Sequence, residues 1–131
     1  MEMALRFQTR TMMEPAGIFL LASDERGTVL GAVLLLHPGS SLEQLARPGE
    51  REFRMLAVSI DARGQGVGEA LVRACIDRVQ GSGATGLVLW TQPIMHAAQR
   101  LYARLGFVRD PARDVPDPRG WDRMVYVRAR A

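Results

Sequence analysis

Apolar residues recur along this chain at two different spacings, and the switches between them mark out its elements. A short apolar run, Ile18-Phe19-Leu20-Leu21-Ala22, is followed by the polar cluster Ser23-Asp24-Glu25-Arg26-Gly27 and then by a second run, Val29-Leu30-Gly31-Ala32-Val33-Leu34-Leu35-Leu36. Two such runs about a short glycine-bearing turn predict a β-hairpin. Ahead of it, Met3, Leu5 and Phe7 alternate with Ala4, Arg6 and Gln8, which predicts a first strand within residues 1–14. Residues 37–50 are rich in Pro, Gly and Ser and predict a loop, in which Leu42, Leu45 and Ala46 have the spacing of one helical turn. In segment 52–59, Phe53, Met55 and Ala57 face one way and Arg54, Leu56 and Val58 the other. Both faces are mainly apolar, as a strand in the middle of a sheet requires.

After Asp61 the period lengthens. Val67, Leu71, Val72, Cys75, Ile76 and Val79 recur at helical spacing, and Gly81-Ser82-Gly83 ends the pattern. Leu87-Val88-Leu89-Trp90 then predicts a short strand, and a strand, helix, strand succession joins parallel strands. A second helix is expected over 94–105, with Ala97, Ala98, Leu101, Tyr102 and Leu105 inward and Gly106 as its C-terminal cap. Phe107-Val108 starts a further strand, 110–120 is a proline-rich loop, and 124–127 closes the sheet. The class is α/β, a mixed and mainly antiparallel sheet with two helices.

Composition narrows the chemistry. At 131 residues, 47% hydrophobic and 24% charged, the chain suffices for one core, so a single domain over 1–131 is expected. No apolar stretch is long enough to span a membrane and the start lacks the order of a secretory signal, so a cytoplasmic location without membrane attachment is expected. All 17 basic side chains are arginine. Without lysine neither a phosphate-loop nucleotidase nor a Schiff-base enzyme can be built. The net charge of +3 and the lack of an aromatic-plus-basic motif argue against a nucleic-acid partner. Cys75, the one cysteine, excludes an internal disulfide and falls in the apolar helical pattern. His37 and His96 have no second ligand at metal spacing, so no metal site is expected.

The informative stretch is 52–68, where a central strand feeds a glycine-rich turn at a helix start. Unpaired amides there point outward together, and glycine lets a diphosphate approach them. Arg63 adds a bidentate cation. The dinucleotide fingerprint G-x-G-x-x-G fails, because Glu69 stands where its third glycine belongs.

Arg63, Gly66 and Gly68 instead fit the pattern R/Q-x-x-G-x-G/A, and Ala98-Gln99-Arg100-Leu101-Tyr102-Ala103-Arg104-Leu105-Gly106-Phe107 fits A-x-x-L-Y-x-x-L-G-F. In both, and in their order around the strand, helix, strand unit, residues 52–108 resemble the GCN5-related N-acetyltransferases. The resemblance implies an acyl-CoA N-acyltransferase fold with splayed central parallel strands and two flanking helices, acetyl-CoA as cofactor, and transfer of acetyl to a primary amine by direct attack in a ternary complex. The acceptor would be a small-molecule or peptide amine. By the same resemblance, main-chain groups of Leu56, Ala57 and Val58 would hold the pantetheine arm, with the Leu56 amide on the thioester carbonyl. The amides of Gly64, Gln65, Gly66, Val67, Gly68 and Glu69 would hold the pyrophosphate, with Arg63 at its edge. Glu52 is the candidate base and Tyr102 the candidate acid for the leaving thiolate, ahead of His37 and His96 as alternative bases.

Two departures from the family pattern stand out. Met95 replaces an asparagine common three residues before the matched alanine, and the first hairpin arrives by about Pro15, where the family usually places a strand and two helices that wall the acceptor site. Such a shortened N-terminal part implies an acceptor wall supplied by a partner subunit, an unusually open pocket, or a chain that starts internally, and a homodimer is expected. Loop carboxylates Glu43, Glu50, Asp114, Asp117 and Asp122 would be available to a cationic amine. The competing reading is a CoA-binding regulatory or scaffold domain that has lost catalysis.

Overall fold

The computed structural model describes residues 6–130. Strands β1 (Gln8–Met13), β2 (Gly17–Ser23) and β3 (Val29–Leu36) form an antiparallel meander, and β4 (Glu50–Val58) adds to β3, again antiparallel. Helix α1 (Val67–Gly81) crosses to β5 (Gly86–Thr91), which lies parallel to β4. Helix α2 (His96–Arg104), the two-residue strands β6 (Val108–Arg109) and β7 (Val115–Pro116), and β8 (Asp122–Ala129) complete the order. The sheet runs β1-β2-β3-β4-β5-β8-β6, with β7 paired to β8.

Hydrophobic pattern explains most of this. The six apolar positions read at helical spacing in α1 are the six residues that it buries. They pack with Leu20, Val33, Leu35, Phe53, Leu87 and Leu89 of the sheet into the main core. On α2 only Tyr102 is fully inside, clustered with Phe53, Phe107 and Tyr126 at centroid separations of 5.8 to 6.2 Å. The end of α2 follows from Gly106, whose φ of 92° only glycine adopts freely. The amides of Gly106 and Phe107 return to the carbonyls of Ala103 and Tyr102 (3.2 and 3.0 Å), a Schellman closure.

Differences from the expected elements are local. The first strand begins at Gln8; Met3 and Leu5 lie outside the described residues. The proline-rich loop contains β7 and a short helical turn at Pro111–Arg113, and Pro116 fits β7 because so short an edge strand tolerates its missing N–H. Among the described residues no helix is long and apolar enough to cross a membrane.

Candidate active site

Strands β4 and β5 pair only at Glu50 with Gly86, Arg51 with Leu87, and Glu52 with Val88. Beyond Glu52 they diverge, so the backbone groups of β4 that face β5 lose their strand partner. On its other edge β4 bulges: Arg54 pairs with Leu34 and Ala57 with Ala32, which sets Met55 and Leu56 together against Val33. Met55 carries the only positive φ (60°) of any non-glycine among the described residues. Strain of this kind concentrates where a backbone must present its polar groups to something other than a neighbouring strand.

Two hollows open into the splay. The larger, about 700 Å³, is walled by Leu56, Ala57 and Val58 on one side, by Arg63, Gly64, Gly66, Val67, Gly68 and Glu69 at the start of α1, and by α2 opposite. The smaller, about 320 Å³, holds Phe53, Arg54, Met55, Trp90, Thr91, Gln92, Tyr102 and Arg119. Leu56 and Met95 belong to both, so the two hollows meet there.

At the head of the larger hollow Gly66 takes the N-cap position of α1 with φ 84°. The first helical bond at this end runs from the Ala70 amide to the Gly66 carbonyl (3.0 Å), which leaves the amides of Val67, Gly68 and Glu69 ahead of it without intrahelical acceptors. A β-carbon placed at Gly64 or Gly66 would meet no atom within 4 Å: these glycines border open space. Glu69 faces the hollow while bonded to Arg104 across it (2.9 Å) and to Arg73 on its own helix (3.3 Å). Gln65 alone of the expected cofactor residues is absent from the wall.

Tyr102 lines the smaller hollow. Burial, with a smaller effect from Cys75, pushes its phenol up to about 12, so it keeps its proton at neutral pH.

The acetyltransferase (GNAT) family pattern matches residues 2–107. The chain belongs to that family. A mycothiol acetyltransferase of Arthrobacter is 39% identical over 73% of this chain and 28% of its own length, and an uncharacterised N-acetyltransferase of Schizosaccharomyces pombe is 36% identical over 87% and 64%. The chain thus spans between about a quarter and two thirds of these relatives. A GCN5-related N-acetyltransferase from Kribbella flavida superposes with a TM-score of 0.69 at 25% identity, over 91% of this chain and 71% of that one. The GNAT fold expected from the sequence is the fold observed.

Within this GNAT framework Glu52, the candidate base, sits at the last paired position of β4 with β5. Its side chain is fully buried, and Oε1 accepts from the amides of Gln44 (3.1 Å), Leu45 (2.9 Å) and Ala46 (3.0 Å). It lines neither hollow. The carboxylate pins the loop 37–49, and Gln44 of that loop in turn accepts from Trp90 Nε1 (3.0 Å). His96 opens the α2 wall of the larger hollow, and His37 lines neither.

The other loop carboxylates are engaged too. Glu43 accepts from the Gly39 amide, and Glu50 pairs with Arg113 at 2.8 Å. Burial resists ionisation of Glu50, but the Arg113 guanidinium and the Arg47 amide hold it below the ordinary carboxylate range. Asp114 takes a two-pronged bond from Arg109 that holds its carboxyl low. Asp117 lies buried between Arg119 (2.8 Å) and Arg123 (3.0 Å) and is held low chiefly by Arg119. Of the five loop carboxylates only Asp122 is exposed without such a bond.

Sequence reading missed Arg54, Trp90 and Arg119, which three separate segments bring to the smaller hollow. Two signals were present: Arg54 is a charge set between the apolar residues Phe53 and Met55 in a central strand, and Trp90 lies near the carboxyl end of a parallel strand, where such sheets bind ligands.

Proposed function

We propose that residues 1–131 form one acetyltransferase domain that moves an acetyl group from acetyl-CoA to a primary amine. The observation that carries this reading is the splay after Glu52, with a glycine-edged hollow on the helix side and Tyr102 in the hollow beyond it. Members of the family use acetyl-CoA, and the open space at Gly64 and Gly66 suits a diphosphate brought against free amides.

When bound, acetyl-CoA supplies an acetyl thioester open to attack by nitrogen. The amides of Val67, Gly68 and Glu69, flanked by Gly64 and Gly66, would hold the pyrophosphate, with the Arg63 guanidinium beside it. Backbone groups of Leu56, Ala57 and Val58, freed by the divergence of β5, would take the pantetheine amides. The Leu56 amide, next to the bulge, would donate to the acetyl oxygen where negative charge develops. Tyr102 holds a proton for the departing sulfur, and solvent restores it.

No carboxylate or imidazole lines the smaller hollow. We therefore assign Glu52 to holding the 37–49 loop and Trp90 in place, and the ammonium proton of the acceptor to water. The rate is then expected to rise with pH along the acceptor's own titration. β1 is the terminal strand of the described sheet and all its side chains are exposed, which suits edge-to-edge pairing of two copies in the cytoplasm.

The test is thiol release from acetyl-CoA in the presence of an amine panel. Release that depends on the amine and yields the N-acetyl product supports the enzyme. Binding of acetyl-CoA without amine-dependent release on any member would favour the regulatory domain instead.

A further inference from the structure

The smaller hollow is electropositive. Two of its walls end in guanidinium groups, Arg54 from β4 and Arg119 from the loop before β8, and no acidic side chain lines it. Arg54 is held by one bond to the Leu42 carbonyl (3.1 Å), which leaves most of its donor fork available. Asp117 is shared by Arg119 and Arg123, one carboxylate against two guanidiniums, so this group stays positive and Arg54 adds to it. The arginines are held in place. Arg119 lies over the Trp121 ring at 4.7 Å, Arg123 over Trp90 at 4.9 Å, and the two indoles lie 6.0 Å apart with their planes tilted by 38°. The rest of the wall mixes apolar Phe53, Met55 and Trp90 with polar Thr91 and Gln92.

An ordinary cationic amine would be repelled by this lining. Resting on the acetyltransferase reading above, we infer that the acceptor is a free amino carboxylate with an apolar side chain, its carboxylate held by Arg54 and Arg119 and its body against Trp90. Arg54 keeps its Nε and Nη2 edge for paired, charge-assisted bonds to a carboxylate, while Arg119, whose Nε and Nη2 engage Asp117 (2.8 and 3.1 Å), adds its remaining Nη1 donors and its charge. It also offsets the ammonium charge, so that the amine can approach the junction at Leu56 and Met95. A volume of about 320 Å³ is at the small end for ligand hollows and suits a molecule of amino-acid size. The N-terminus of a peptide lacks the adjacent carboxylate, so it is excluded by the same argument.

Calorimetric titration of the protein, with and without saturating CoA, by L-phenylalanine, L-phenylalaninamide and phenethylamine tests this. The three probes share an amine and a ring, and only the first carries the carboxylate. The expected result is binding of L-phenylalanine about tenfold or more tighter than of the other two, a preference that Arg54→Gln and Arg119→Gln each reduce severalfold. Equal or tighter binding of the amide or amine, no saturable binding of any probe, or a preference unchanged in both variants would overturn the inference. A carboxylate preference in a chain that fails to bind acetyl-CoA would instead remove the acetyltransferase reading and leave the anion-binding hollow standing.

Discussion

At Glu52, three backbone amides converge on one carboxylate oxygen inside the protein, and this favours an anchoring role over that of a base, two roles that a sequence cannot separate. A glutamate opening a central strand reads equally as a base or as a charge at the end of a strand; its partners lie in a loop whose course no periodicity specifies. As an anchor, Glu52→Ala should strand those amides and cost about 3 kcal/mol of stability, visible as a lower denaturant midpoint. Glu52→Gln should keep one acceptor oxygen and most of kcat, whereas a loss of kcat by two orders of magnitude with unchanged stability would restore the base. Tyr102 was legible because it falls both on the inward stripe of α2 and in a family motif. Tyr102→Phe should lower kcat by roughly 100-fold with little change in KM for acetyl-CoA. Equal loss in kcat and in acetyl-CoA affinity would mark it as packing alone.

Among the elements, α1 was the most readable, since one buried stripe at helical period dictates both its length and the face turned to the sheet. The splay was not. Where β4 and β5 part, and the bulge that sets Met55 at φ 60°, depend on the register between strands far apart in sequence. The short β7 escaped detection because its two residues carry no alternation. The glycine turn joins both kinds of information: its spacing was in the sequence, its orientation to the hollow only in the fold. Gly66→Asp places a carboxylate where the pyrophosphate belongs, at a site with room for a side chain. Its left-handed φ is one that aspartate tolerates better than most residues. CoA affinity should fall at least 100-fold with the circular dichroism spectrum unchanged; retained affinity would move the phosphate site elsewhere.

For the whole molecule, burial ties stability to alkaline pH. It pushes Cys75 from 9.0 and Tyr102 from 10.0 up to about 12. Both folded values lie above the unfolded ones, so the stability linked to these groups is complete below pH 9 and is lost as pH rises through about 12. The denaturant midpoint should drop between pH 9 and 12, and the drop should shrink in Tyr102→Phe; a flat profile would contradict the burial of both groups. Light scattering at micromolar concentration should report twice the 14.5 kDa chain mass if β1 edges pair, and a monomer would reject that arrangement. The account as a whole depends on the cleft at the splay being a coenzyme A site. Its most direct test is calorimetric titration of the wild-type chain with acetyl-CoA, CoA and NADH: saturable binding of the first two without the third is predicted, and a folded protein that binds neither CoA species would contradict it.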